Sequence, residues 1–407
     1  MFVKNYDIVC CNSESLFNEN ILTSKEWINN NNKYKVLKYN KLKLEKHLYS
    51  TIGICRSIII NEDKEIVCFS PVKNIDSNIF METYQENECI AEEYVEGTMI
   101  NLFYDKKTEN WEIATKTSVG GNVKYFRNQP TFKELFNDIF QSLNLNYDDF
   151  NKEYVYSFVM QHPENRFVMN IDYKKLYLIS IFKINNEKMT VEEVPRNLYV
   201  DFNLSNNISL PFGHFFNSYR ELIDFYGSAS TNTNIMGIVI KHINGDRCKI
   251  RNPNYEHVKH LKGNSPKLQF QYLTLVKNKK IKEYLYYYPE NKEKFDVFKE
   301  DLYKFTDTLF AYYIECFIKK EKTIKDYPFQ FRNHMKSLHD IYINVILKNK
   351  YKRYVDRKVV IDYINNLEPA KLMFSLNYHL RDIQDKKCDD SDKKCDDSDK
   401  KCDDVEM

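Results

Sequence analysis

The chemistry most open to this chain is the capture of an anion by cations held on short strands. In the segment Arg247-Cys-Lys-Ile-Arg-Asn-Pro-Asn254, Lys249 and Arg251 stand two residues apart, so strand alternation sends both to one face. Two cations aimed into one cleft repel unless something anionic lies between them. A phosphate-binding strand satisfies that condition, and a solvated edge strand is the plainer alternative. The stretch Ala114-Thr-Lys-Thr-Ser-Val-Gly-Gly-Asn122 holds two of the nine glycines. Small hydroxyl residues, Lys116 and paired glycines can offer backbone N–H groups and a positive charge to a phosphate, or simply turn the chain. Further candidates are the acidic run Glu92-Glu93-Tyr94-Val95-Glu96-Gly97, the turn His162-Pro-Glu-Asn-Arg166, and Met236-Gly-Ile-Val-Ile-Lys241.

The elements that must position these residues read as short β-branched and aromatic runs. Ser57–Ile60, Glu65–Phe69, Met99–Tyr104, Trp111–Thr115, Tyr154–Met160, Phe167–Met169, Leu176–Phe182, Ile235–Lys241 and Arg247–Arg251 are expected strands. One helix is expected near Phe132–Leu143, where Phe132, Leu135, Phe136, Ile139 and Leu143 share a face. After Pro253 the period turns helical. Phe295, Phe298, Leu302, Phe305, Leu309, Tyr312 and Cys316 form one stripe, Asp326-Tyr-Pro328 breaks it, and helices follow over Phe331–Val345 and Val359–Leu367. The fold class expected is α+β, an antiparallel-sheet region followed by an all-α domain.

Composition fits that layout. The chain has 407 residues, with 43% hydrophobic and 29% charged residues, as in a folded domain rather than a disordered polymer. Its 31 Tyr and 27 Phe against 9 Gly exclude collagen and flexible Gly/Ser linkers. No apolar run approaches the ~20 residues of a membrane span, and Met1–Cys11 lacks a signal-peptide layout, so no membrane partner and a cytoplasmic location are expected. None of the ten Cys forms a Cys-x-x-Cys pair, which points to reduced thiols rather than zinc or redox motifs. From Asp385 the heptapeptide Lys-Lys-Cys-Asp-Asp-Ser-Asp recurs, an acidic tail expected to be disordered. The formal net charge of +2 therefore conceals a mildly basic remainder.

Taken in order, these segments resemble the T-even-phage-type ATP-dependent RNA ligases, a branch of the covalent nucleotidyltransferases. The resemblance runs from about Arg56 to Lys262. Cys55-Arg56-Ser57 is similar to the upstream Arg-Gly element, and Tyr94-Val-Glu96-Gly97 occupies the place of the nucleophile motif Lys-x-Asp-Gly. Thr115-Lys116-Thr-Ser118 is similar to Ser-Lys-Gly-Ser, and Pro163-Glu-Asn-Arg166 with Leu176-Tyr-Leu178 to the third motif with its Pro-x-Asn-Arg extension. Met236-Gly-Ile-Val239 sits where Glu-Gly-x-Val belongs, and Lys249-Ile-Arg251 where the last motif has Lys-x-Lys. The resemblance implies residues 51–264 as the nucleotidyltransferase domain, with 1–50 packing on it, 265–384 as a helical appendage and 385–407 as the tail. The Asn/Lys/Tyr/Ile-rich composition adds a likeness in kind to ligase-like proteins of large cytoplasmic DNA viruses.

The departures shape the expected function. In the family a Lys amine attacks the α-phosphorus of ATP, with divalent metal held by carboxylates. Here Tyr94 stands at the Lys position, no Lys occurs between Lys73 and Lys106, and Val159 and Met236 replace two motif glutamates. A phenol needs a lowered pKa to attack, and Glu92, Glu93 and Glu96, if ionised nearby, would raise it. What survives is a recognition set of Arg56, Glu96, Lys116, Arg166, Lys241, Lys249 and Arg251. The resemblance implies a protein that binds a nucleotide or an RNA 5′-phosphate end without a lysyl adduct, with RNA and nucleotide as partners. ATP is a possible ligand, and Mg2+ or Mn2+ is needed only if catalysis is retained. The alternatives are an active ligase with another nucleophile, such as Lys116, and a scaffold that has lost nucleotide binding.

Overall fold

A computed structural model describes residues 4–49, 51–124, 129–202, 204–346 and 354–380. The Lys/Cys/Asp repeat lies outside the described residues. The chain divides into two units, residues 1–260 and 261–407.

The first unit carries fourteen described strands. In chain order they are β1 (Lys4–Asp7), β2 (Leu22–Asn29), β3 (Asn32–Tyr39), β4 (Ile58–Ile60), β5 (Ile66–Phe69), β6 (Cys89–Glu93) and β7 (Thr98–Asp105). There follow β8 (Asn110–Ala114), β9 (Tyr154–Gln161), β10 (Lys175–Asn185), β11 (Thr190–Glu193), β12 (Gly213–His214), β13 (Gly237–His242) and β14 (Arg247–Arg251). Three antiparallel sheets result, ordered β1-β11-β10-β9-β7-β8, β2-β3-β4-β5 and β12-β6-β13-β14. The mixed helix and antiparallel-sheet class expected from the sequence is the one observed.

The six-stranded sheet is buried on both faces, as alternation along β7 makes plain. Leu102 joins Phe136, Ile139 and Phe158 on the face covered by the helix Phe132–Ser142. Its neighbour Phe103 joins Val36, Ile58, Phe69 and Phe182 on the face toward β2–β5. Thr131 starts that helix with a reciprocal capping box to Glu134, which satisfies N–H groups the helix leaves open. The third sheet is covered by the helices Ser77–Thr83 and Tyr219–Tyr226, with Phe80, Tyr219 and Leu222 packed on Ile238, Ile240 and Ile250.

Three strands in the first fifty residues escape the sequence reading. β2 and β3 form a two-residue hairpin through Asn30 and Asn31, at φ +49° and +64°, the geometry that Asn tolerates best after Gly. One expected strand is absent: Phe167–Met169 is a bend. The N–H groups of Val168 and Met169 donate to the Glu96 carboxylate rather than to a neighbouring strand.

The second unit is helical throughout its described residues. The helix Lys292–Tyr313 buries Phe295, Leu302, Phe305, Leu309 and Tyr313. Tyr313, four residues after Leu309, takes the deep position expected from the sequence for Tyr312, as a 3.6-residue turn allows. After the break at Asp326–Pro328, the helix Phe329–Ile341 buries Phe331, Met335 and Leu338, and Arg357–Asn366 forms a further helix that buries Val360 and Ile364. No described helix is long and apolar enough to cross a membrane.

Candidate functional site

The turn Tyr94–Gly97 connects β6 of one sheet to β7 of another. Gly97 has φ +149°, and a Cβ there would lie 2.4 Å from the Met160 carbonyl oxygen, so the close approach to β9 needs glycine. Glu96 fixes the same turn from inside. Its buried carboxylate accepts the N–H of Val168 and of Met169 at 3.2 Å each, and its carbonyl accepts Gln161 Nε2 at 2.8 Å. Burial first, and then Glu96, push the Tyr255 phenol well above its ordinary range. The carboxylate of Glu96 is thus committed within the fold.

Tyr94 lines a cavity of about 60 Å³, whose two sides differ in charge. One side holds Glu92 with Lys241 at 2.7 Å, and Arg196 completes the ion pair from the loop after β11. Burial alone would raise the Glu92 carboxyl, but Lys241 and Arg196 together hold it below its usual range. The other side holds Arg56, Arg247 and Lys249. Arg56 Nη1 donates to the Pro71 carbonyl at 3.3 Å and Arg247 Nη2 to the Val72 carbonyl at 2.6 Å. Among the described residues none of these three cations has a carboxylate partner. Arg247 is 92% buried, at 8% relative exposure, and its Nε finds no acceptor among them.

Lys249 Nζ lies 3.7 Å from the centroid of the Tyr94 ring, a cation–π contact. Burial, and then the charges of Arg247, Arg56 and Arg251, pull its pKa well below the usual ammonium value. Burial and Arg247 likewise lower Arg56. The Tyr94 phenol is raised, with burial the chief cause and Arg251 and Arg56 opposing it. Burial replaces the cause expected from the sequence, because Glu92 and Glu96 are turned to partners of their own. A buried phenol above its ordinary ~10 stays protonated at neutral pH. The rest of the lining includes the apolar Val95, Met99, Val159 and Ile179 and one further acidic residue, Glu93, whose carboxylate accepts the Phe212 N–H at 3.4 Å.

The other expected residues lie around this cavity rather than in it. Lys116 Nζ sits 5.8 Å from the Tyr39 ring centroid, and burial and then Arg56 lower its pKa. The loop that carries it closes on itself, with Thr115 and Ser118 hydroxyls 2.7 Å apart and the Thr115 and Gly120 N–H groups bonded to backbone carbonyls. Arg166 Nε and Nη2 donate to the Val168 carbonyl. Arg251 is exposed and pairs with Glu256 at 3.2 Å. The sequence reading passed over Arg247 and Arg196. Arg247 was within reach, since it precedes Lys249 by two residues and alternation puts it on the same face. Arg196 carried no such signal, being brought in by a loop.

No protein-family model matches the chain. Over 132 residues it is 31% identical to an RNA ligase of Rhodothermus phage RM378, a match covering 29% of this chain and 30% of that protein. This sequence match supports an RNA ligase-like nucleotidyltransferase fold. The chain spans less than a third of that relative's length. Among solved structures, an archaeal ATP-dependent RNA ligase aligns at TM-score 0.39 and 15% identity over 64% of each chain. A Naegleria gruberi RNA ligase variant with ATP and Mn aligns at TM-score 0.34 and 10% identity, over 46% of this chain and 58% of that one. Likenesses at these scores carry no argument about the site.

The RNA ligase-like positions named from the sequence can now be placed. Tyr94 and Val159 both line the cavity, and Met236 immediately precedes β13.

Proposed function

We propose that the protein binds the 5′-phosphate of an RNA end through Arg56, Arg247 and Lys249, without forming a covalent nucleotidyl adduct. The observation that carries this reading is the buried Nε of Arg247, which has no acceptor among the described residues, beside two further cations with no carboxylate partner among them. A phosphate supplies the missing acceptors and the missing negative charge in charge-assisted bonds. Between the two ligands the resemblance implies, cavity size favours the RNA end. About 60 Å³ is far below the ~300–1,000 Å³ of pockets that enclose small-molecule ligands. It suits a terminal phosphate group better than a whole nucleotide.

Transfer chemistry lacks its parts at this place. The half-buried Tyr94 phenol has a raised pKa and holds its proton, Val159 and Met236 offer no side-chain oxygen, and Glu92 is neutralised by two cations. Among the described residues no group of three or more His, Cys, Asp or Glu side chains could hold a metal ion. Lys116 has a lowered pKa, the property an alternative nucleophile needs, but it lies against Tyr39 and not in the cavity. Incubation with ATP or GTP and Mn2+, followed by intact-mass measurement, tests the reading. An unmodified mass is expected, and one added nucleoside monophosphate would refute it.

A further inference from the structure

Lys249 belongs to two cavities. Besides the inner one, it lines a groove of about 540 Å³ together with Lys73, Asn74, Ile250 and Arg251. This groove runs along the free side of β14, which among the described residues pairs only with β13. At the start of β14 that side is taken, because Ile75 N–H donates to the Arg247 carbonyl at 2.9 Å. Backbone direction repeats every second residue in a strand, so the peptide groups of Lys249 and Arg251 face outward on the same side. Its charged side chains are mostly cations. Lys73 Nζ lies 3.1 Å from the centroid of the Tyr49 ring, and Arg251 shares Glu256 with Lys259. The carboxylate present, Asp76, is turned to the Asn78 N–H as a helix cap.

We propose that this groove carries the strand of a single-stranded RNA whose 5′ end enters the inner cavity, an inference that rests on the phosphate-binding reading above. Lys249 joins the two, so that terminal and following phosphates meet one continuous set of cations: Arg56 and Arg247 within, Lys73 and Arg251 outside. A positively charged groove that follows the backbone is how proteins hold single strands with little sequence preference. An acidic peptide fits less well. Only Lys249 and Arg251 offer outward peptide groups before Pro253, which has no N–H, and strand addition depends on main-chain bonds over a longer edge.

The test is fluorescence anisotropy on the full chain with 5′-phosphorylated oligouridylates from one to roughly ten nucleotides, over a range of salt. Affinity should rise with length over the first few nucleotides, and Lys73→Glu should abolish the rise, about a tenfold loss for the longest strand, with a shallower salt slope. Arg251→Ala, from a different element, carries the same expectation, and melting curves confirm that both variants fold. If the mononucleotide binds as tightly as the longest strand, the groove is overturned while the inner phosphate site stands. If 5′-hydroxyl strands bind as tightly as phosphorylated ones and Lys73→Glu still weakens them, the groove stands and the inner site falls. Displacement of the RNA by polyglutamate of matched charge at equal concentration would overturn the groove as an RNA track.

Discussion

The two sides of the inner cavity are built from neighbouring strands and have opposite electrostatic histories. On the β6 and β13 side, Lys241 and Arg196 face Glu92 and are neutralised by it. On the β14 side, Arg56, Arg247 and Lys249 meet carbonyls, an aromatic ring and one another. A cation on a ligase-like strand is therefore not by itself a phosphate ligand. What matters is whether the fold has already supplied its counter-charge. Buried like charges without a partner cost stability, and a ligand that brings two negative charges recovers that cost. The Glu92 side is neutralised within the fold, and the proposal assigns the anion to the other.

The comparison can be broken most sharply at Arg247. Arg247→Gln should weaken 5′-phosphorylated RNA by roughly 10- to 100-fold in a filter-binding titration, the ~1.5–3 kcal/mol of a charged hydrogen bond. Lys241→Met should do the reverse. It leaves buried Glu92 with Arg196 alone, so chemical denaturation should show a loss of ~1–3 kcal/mol, while affinity for the RNA changes little. Equal losses of affinity in the two variants would erase the distinction between the sides. A smaller effect separates Lys249 by its pH dependence. Its folded pKa is depressed by burial and neighbouring cations, so the unfolded chain binds more protons wherever pH lies between the folded value and the unfolded ~10.4. Stability from this group therefore rises with pH through that window. Binding moves the other way, because a bound phosphate favours the ammonium form. Titration calorimetry in buffers of different ionisation enthalpy should show proton uptake and an affinity that falls several-fold as pH rises through the folded pKa. Lys249→Arg, always charged, should flatten that profile.

Much of this arrangement is legible in the sequence, and the parts that are not share a cause. Alternation in Arg247-Cys-Lys-Ile-Arg251 gives the charged face of β14, and the apolar stripe of Phe132–Ser142 gives its helix. These are local patterns, readable within one element. Lys241 and Glu96 look like ligands in the sequence because nothing local reveals their partners. Glu92 and Arg196 are 104 residues apart, and Val168 meets Glu96 across 72. The bend at Phe167–Met169 was read as a strand for the same reason, since its composition is strand-like and only a distant carboxylate claims its N–H groups. The raised phenol of Tyr94 also needs the fold, because burial, its chief cause, is a property of packing rather than of neighbouring charges in the chain.

The most direct measurement compares two RNAs of identical sequence, one with a 5′-phosphate and one with a 5′-hydroxyl, in equilibrium binding to the full chain without nucleotide or divalent metal. The set of Arg56, Arg247 and Lys249 predicts that the phosphorylated strand binds about tenfold tighter or more, the worth of roughly one charge-assisted contact. Equal affinity for the two strands would contradict it.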